Sequence, residues 1–142
     1  MNNQYKDLTQ SLQTGFIDHL INSKNEYRPQ LLVNDKREGI KFLSSLVGEL
    51  NNCDQFWISV AFVTSSGIAA LMNTLLDLRD KDIKGKVLVS SYLNFTQPEA
   101  LRKLLYFNNI ELRIVEVGDF HSKGYLFKNG QLYDLNLYIG YS

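Results

Sequence analysis

His121 and Lys123 are the two side chains whose types and spacing could do chemistry. They stand two positions apart in the β-prone string FHSKGYLF at 120–127. Side chains two apart on a strand share one face and lie about 7 Å from each other along it. An imidazole near neutrality can act as nucleophile or proton donor, and an ammonium beside it neutralises the non-bridging oxygens of a phosphodiester. The pair therefore suits phosphoryl transfer.

The spacing alone has a second interpretation. A His-x-Lys triplet arises by chance in about one protein in five of this size, given ordinary residue frequencies. A polar pair on a half-exposed edge strand would give the same pattern. Gly124 follows directly and leaves that edge uncrowded, so a phosphate could come close. Spacing by itself leaves both interpretations open, and the elements that position the pair must be considered.

Length and composition predict a domain with a sizeable core. The chain has 142 residues, of which 44% are hydrophobic, and 15 basic residues balance 15 acidic ones. A balanced charge gives no global field to attract polyanions, so any nucleic-acid affinity must come from a local patch. The polar N-terminus has no apolar signal core and the apolar runs are too short to span a bilayer. We therefore expect a cytoplasmic protein without a membrane partner.

The first part of the chain predicts two helices. Leu8, Leu12, Phe16 and Leu20 recur at a spacing of four, which predicts an amphipathic helix within an N-terminal helical segment, 1–30. A second helix begins with the capping pair Asp35 and Glu38, inside an α/β domain that we place at 31–142. Its predicted apolar face is Ile40, Leu43, Val47 and Leu50.

The middle of the chain alternates strands with helices. The run at 56–63 is almost continuously apolar, which predicts a central strand covered on both faces. Thr64 and Ser65 offer caps to a helix with an apolar face at Ile68, Leu71, Met72, Leu75 and Leu76. A second strand at 86–93, a helix with a Thr96–Glu99 capping box, and a third strand at 110–115 follow. Strands separated by helices predict parallel pairing in a helix-covered sheet.

The last part of the chain changes this pattern. The segments 120–127 and 131–140 both have strand character, and Asn129-Gly130 between them is a strong hairpin signal. The sequence therefore predicts an α/β fold with a mixed sheet flanked by helices, in which a C-terminal hairpin carries the His-x-Lys pair.

Other polar residues are weaker candidates. Ser65, Ser66 and Asn94 follow predicted strands at their carboxyl ends, where ligands of open α/β sheets bind, although helix capping explains the serines equally well. Asn94 and Thr96 have the same two interpretations. His19 fits a surface position better than a catalytic one. Asp119 could orient the imidazole or occupy a turn. Glu111 and Glu116 most simply face water, and Asp134 could face the strand of His121 or solvent.

Neither a metal nor a cofactor is predicted. The sequence has no P-loop string, paired zinc ligands or acidic metal cluster. Cys53 is the only cysteine, and we expect it to be a small buried or half-buried side chain.

Several strings together resemble the phospholipase D superfamily. They are LLVNDK at 31–36, ISVAFVTSSGIAAL at 58–71, SYLNFTQPEAL at 91–101, FHSKGYLF at 120–127 and YIGYS at 138–142. The chain most resembles the nuclease-like domain found at the N-terminus of bacterial superfamily 2 helicases of the DEAD/DEAH type. The resemblance implies a phospholipase D-like fold and DNA as substrate.

The resemblance also implies residue roles. His121 would be the nucleophile or general acid, forming a transient phosphohistidine, and Lys123 would bind the phosphate. Gly140 would open the Gly-Ser-x-Asn element that orients the pair, with Ser142 beside it. One motif per chain implies a homodimer, because one histidine attacks phosphorus while another protonates the leaving oxygen. ATP hydrolysis would belong to a helicase portion of a longer parent chain.

Three positions depart from the superfamily pattern. Lys128 stands where lipid-cleaving members have an acidic residue, which favours a nuclease over a lipase. Tyr141 stands where serine is usual, and Ser142 precedes the expected asparagine, which suggests a domain truncated at its C-terminus. The leading interpretation is a metal-independent nuclease-like phosphodiesterase. The alternative is a catalytically inactive DNA-binding or dimerisation appendage of a helicase.

Overall fold

The structure is a computed structural model, and it describes residues 41–91, 94–116 and 123–130, the backbone of 135–140, and Lys6 and Thr9. The chain divides into two compact units, Met1–Phe42 and Leu43–Ser142. Apart from Thr9, the predicted helix from Leu8 to Leu20 lies outside the described residues, as does the predicted cap at Asp35 and Glu38. The proposed domain start at residue 31 lies there too, and it stays a prediction.

One mixed sheet organises the second unit. Its strands are β1 (Gln55–Val60), β2 (Lys84–Ser90), β3 (Ile110–Val115), β4 (Lys123–Lys128) and β5 (Leu135–Gly140). The strand order is β3-β2-β1-β4-β5. β1, β2 and β3 pair in parallel, whereas β4 pairs antiparallel with both β1 and β5. The predicted mixed α/β sheet with β1 at its centre is therefore confirmed.

The core of the sheet is built around Phe56. Register places Phe56 directly opposite Gly85 on β2 and opposite Phe127 on β4. Both phenylalanine rings are fully buried, at 0% exposure. A Cβ on residue 85 would lie 2.0 Å from Cζ of Phe56, so only glycine leaves room for this ring. The three residues therefore form one cross-strand unit that joins the parallel strands to β4.

The helices that flank the sheet are α1 (Phe42–Asn52), α2 (Ser65–Asp80) and α3 (Pro98–Leu105). α2 buries Ile68, Leu75 and Leu78. α1 buries Leu46 and Leu50, one turn apart. The apolar face predicted for α1 is wrong at Leu43, which is 41% exposed, because the buried stripe begins one turn later at Leu46.

The start of α2 agrees with the sequence prediction. Thr64 is the N-cap, and its hydroxyl accepts a hydrogen bond from the backbone N–H of Gly67 at 3.1 Å. The start of α3 does not agree. Its N-cap is Gln97 rather than Thr96, and Gln97 makes no side-chain capping bond. The predicted Thr96–Glu99 capping box is wrong because the Thr96 hydroxyl donates instead to the carbonyl of Ser90, at 2.7 Å.

The first strand ends earlier than its apolar run predicts. β1 stops at Val60 rather than at residue 63. The carbonyl of Val63 accepts a hydrogen bond from the backbone N–H of Gln97 at 2.9 Å, so it bonds to the start of α3. Phe62 is therefore in a loop and not in the sheet.

The predicted C-terminal hairpin is described in part. β4 and β5 pair antiparallel from Lys128↔Leu135 to Lys123↔Gly140. Gly130 has φ of 70°, and its N–H donates to the carboxylate of Asp54 at 2.6 Å, which ties the end of β4 to the start of β1. Residues 131–134 lie outside the described residues, so the hairpin connection stays a prediction.

Candidate functional site

Lys123 lies at the carboxyl edge of the parallel strands. It is the first residue of β4, and the pair Ser59↔Gly124 places it beside the carboxyl end of β1. The segments that follow β1 and β2 begin at the same edge, because these strands are parallel. Ligands of open α/β sheets bind at this edge. The sheet therefore brings Lys123 to the edge at which ligands of such folds bind.

The ammonium group of Lys123 has an unusual environment. Its Nζ is shielded from solvent and has no hydrogen-bond partner among the residues that the structure describes. The atom lies 5.9 Å from the centroid of the Phe62 ring, within the range of a cation–π contact. Such a contact offsets only part of the cost of removing a cation from water. An anionic oxygen that reached this atom would give the ammonium a charge partner.

Phe62 in turn contacts Phe95. The two ring centroids are 5.7 Å apart, with 67° between the ring planes. Phe62 is 37% exposed and Phe95 is 54% exposed, although both are large apolar side chains. We call Lys123, Phe62 and Phe95 the edge cluster.

Ser65 and Ser66 begin α2 at the same edge. Thr64 caps the helix, so Ser65 and Ser66 are not needed as N-caps. The backbone N–H of Ser65 donates to Oε1 of Gln97 at 2.7 Å, and the Ser66 hydroxyl lies 3.2 Å from the Thr64 hydroxyl. These contacts give the segment a structural role, and phosphate binding by the two serine hydroxyls stays a prediction.

Asn94 follows β2 and precedes Phe95. Its φ is 57°, a left-handed conformation that asparagine tolerates better than most residues. Its N–H donates to the carbonyl of Ser91 at 3.1 Å, and its side chain is exposed. Asn94 thus connects with the edge cluster through its neighbour Phe95.

Gly140 is paired with Lys123 across β4 and β5. The two residues predicted to share a site are therefore directly opposite each other in the sheet. Gly124 faces the other side of the sheet from Lys123, because neighbouring side chains on a strand alternate.

Of the remaining site residues, His121 and Ser142 lie outside the described residues, as do His19, Asp119 and Asp134.

No model of a known protein family matches the chain, and no curated protein matches it.

The other face of the sheet carries an ion-pair network. Glu111 is bonded to the guanidinium of Arg113 at 2.6 Å and lies 3.4 Å from Nζ of Lys86. Hydrogen bonds from Arg113 and then from Lys86 hold the pKa of the Glu111 carboxyl below its usual range. All three side chains are exposed, which agrees with the prediction that Glu111 faces water. The network is a solvated surface feature of small energetic weight.

Cys53 is buried, as predicted, with 5% exposure. Burial raises the pKa of its thiol to about 11. Neighbouring Asp54 and Glu49 also raise it, to a smaller extent. The thiol therefore stays protonated and unreactive at neutral pH.

We expect the folded domain to lose stability as pH rises above about 9. A free thiol has a pKa of 9.0 and burial raises the pKa of Cys53 to about 11, so the folded state holds a proton that the unfolded state releases between these values. The stability that the protonated Cys53 thiol contributes to the folded domain is complete below pH 9 and is lost as pH approaches 11. Urea unfolding of the wild type and of Cys53→Ala from pH 8 to 10.5 measures it. An equal pH slope for both proteins would contradict this assignment.

Within the described part of the chain, no group of three or more His, Cys, Asp or Glu residues could hold a metal ion. In the same residues, no helix is both long enough and apolar enough to cross a membrane.

Sequence reasoning missed three residues at this edge. The apolar run at 56–63 predicts that Phe62 lies in a strand, and no sequence pattern points to Phe95 or Gln97. Gln97 binds the start of α2 through its side chain and the loop after β1 through its backbone N–H. The available signal was the Thr64 cap, because a helix that begins at Ser65 leaves 61–63 as a loop.

Proposed function

We propose that this chain is a phospholipase D-type phosphodiesterase domain that cleaves DNA without a metal ion. The observation that carries the proposal is the Lys123 ammonium, shielded from solvent at the carboxyl edge without a hydrogen-bond partner among the described residues. A buried cation of this kind destabilises a fold unless it binds something. A phosphate oxygen is the ligand that best satisfies it at this edge of an α/β sheet.

Three further observations support the proposal. Lys123 belongs to the His-x-Lys motif and Gly140 to the Gly-Ser-x-Asn element, and the two residues lie directly opposite each other in β4 and β5. His121 precedes Lys123 by two residues, so continued strand geometry would put both on one face. Lys128, at the far end of β4, replaces the acidic residue of lipid-cleaving members, and this favours a nuclease.

The proposed reaction has two steps. In the first, an imidazole nitrogen of His121 attacks phosphorus, and the bond from phosphorus to the leaving oxygen breaks. The leaving oxygen takes a proton from the partner subunit's His121. In the second step, that histidine takes a proton from water, which attacks the phosphohistidine and releases His121. Lys123 binds the non-bridging oxygens in both steps and neutralises their charge.

A complete site requires a second copy of the chain, because each chain supplies one His-x-Lys pair. We therefore propose a symmetric homodimer, located in the cytoplasm as part of a longer helicase-type protein. A second candidate function is a non-catalytic DNA-binding appendage, and Tyr141 at the usual serine position favours it.

The test is turnover in the presence of a chelator. We expect wild-type protein to hydrolyse bis(p-nitrophenyl) phosphate with excess EDTA and to form an acid-labile phosphoenzyme. His121→Ala should lose both signals. His19→Ala is the matched control, because the chain has only 2 histidines, and it should keep both.

Two outcomes would remove the enzyme proposal. One is turnover that persists in His121→Ala, and the other is wild-type protein that binds DNA without any turnover. The second outcome would establish the binding appendage instead. Sedimentation of wild-type protein tests the dimer separately, and a strict monomer at assay concentration would leave the site incomplete.

A further inference from the structure

Phe95 is a large aromatic side chain that the fold leaves open to solvent. It is 54% exposed, whereas Phe56, Phe107 and Phe127 are at most 2% exposed. About half of the Phe95 surface is therefore accessible to a ligand. Its ring centroid lies 5.7 Å from the centroid of Phe62. The Phe62 centroid in turn lies 5.9 Å from Nζ of Lys123. A π surface and a cation therefore lie at one edge of the sheet.

The loop that carries Phe95 is held on both sides. On the N-terminal side, the N–H of Asn94 donates to the carbonyl of Ser91 at 3.1 Å. On the C-terminal side, the Thr96 hydroxyl donates to the carbonyl of Ser90 at 2.7 Å. The edge contact with Phe62 then orients the ring itself. Because the ring is held in place before any ligand binds, little conformational freedom is lost on binding.

The combination of ring and cation identifies one ligand chemistry. Proteins that bind single-stranded nucleic acid use a cationic groove for the phosphates and aromatic rings for the bases. In a duplex, the base faces are stacked on one another and cannot reach a protein ring. A lipid headgroup offers a phosphate but no flat base.

We propose that Phe95 stacks on a nucleobase of single-stranded DNA while Lys123 binds a phosphate of the same strand. Phe62 is a positioning residue, because it contacts both the Phe95 ring and the ammonium group. The inference rests on the proposed function, which makes Lys123 the phosphate ligand. It adds that the substrate is single-stranded DNA.

The experiment compares two strands that differ only in their bases. Fluorescein-labelled oligothymidylate and an abasic strand of equal length are titrated with the full chain, and anisotropy is measured. We expect Phe95→Ala to weaken binding of oligothymidylate about 10- to 100-fold and to leave binding of the abasic strand unchanged. Phe95→Trp should restore binding. Phe95→Leu keeps apolar bulk without a π surface and should bind like Phe95→Ala.

Tyr106→Ala is the matched control, because Tyr106 is 77% exposed but lies at the end of α3, outside the edge cluster. It should bind both strands as wild type does. Equal losses for both strands in Phe95→Ala, or no loss for either, would overturn the stacking proposal. Wild-type binding of duplex or of phosphatidylglycerol vesicles in preference to oligothymidylate would also overturn it.

The two proposals fail separately. Turnover is measured with bis(p-nitrophenyl) phosphate, whereas stacking is measured by comparing oligothymidylate with the abasic strand. If wild-type protein shows no turnover but discriminates oligothymidylate from the abasic strand, stacking stands and the enzyme proposal falls. If turnover depends on His121 but the two strands bind equally, the enzyme proposal stands and stacking falls.

Discussion

Replacing Lys123 with methionine should lower phosphodiester turnover by about 100- to 1000-fold while making the domain more stable. Turnover falls because the non-bridging oxygens lose the cation that neutralises them. Stability rises by about 1–3 kcal/mol, because methionine removes a solvent-shielded ammonium that has no hydrogen-bond partner among the described residues. The two measurements are hydrolysis of bis(p-nitrophenyl) phosphate and urea unfolding.

The matched control is Lys128→Met at the other end of the same strand. Lys128 lies at the amino edge of β1, opposite Gln55, so its removal should leave turnover within about twofold of wild type. A Lys123→Met protein that loses stability would show that the ammonium has a structural partner. Undiminished turnover in that variant would remove Lys123 from the site.

Replacing Gly85 with alanine should destabilise the domain by about 3 kcal/mol. The new Cβ would lie 2.0 Å from Cζ and 2.3 Å from Cε2 of Phe56, distances that atoms cannot keep. The ring cannot swing away into solvent, because Phe56 is fully buried between Gly85 and Phe127. Urea unfolding followed by circular dichroism gives the change in the free energy of unfolding.

Gly124→Ala is the control for this substitution. It also places alanine in a strand of the same sheet, but nothing lies within 4 Å of the new Cβ, so we expect a change within about 0.5 kcal/mol. In the double variant Gly85→Ala, Phe56→Leu, the smaller side chain should relieve the clash. Its loss of stability should fall below the sum of the single losses by more than about 1 kcal/mol. Simple additivity would show that the ring is not the cause.

The central strand was predictable because its apolar run is continuous. Residues on both faces of a strand are apolar only when both faces are at least partly covered, and this pattern placed β1 in the middle of the sheet. The end of the same strand was not predictable from the run. Phe62 continues the apolar pattern at Ala61–Val63, but hydrogen bonding of Val63 to Gln97 competes with the sheet there.

The candidate site was predictable only where its residues are close together in the sequence. The spacing of His121 and Lys123 is visible in the string, and the parallel strands indicated which edge would hold Ser65 and Asn94. The meeting of Phe62 with Phe95 depends on β1 and β2 being neighbours and on both loops leaving the same edge. Exposure of a phenylalanine ring depends on tertiary structure, so composition and periodicity do not reveal it.

The pairing of β4 with β1 also bears on how the protein is made. α2, β2, α3 and β3 lie between these two strands in the sequence. A chain that leaves the ribosome N-terminus first completes β1 to β3 before Lys123 exists. Until β4 pairs with β1, the ring of Phe127 does not cover the buried face of β1. The nascent chain therefore exposes an apolar surface of the kind that chaperones bind. Lys123, the proposed phosphate ligand, therefore joins the sheet only after β1, β2 and β3 have been synthesised.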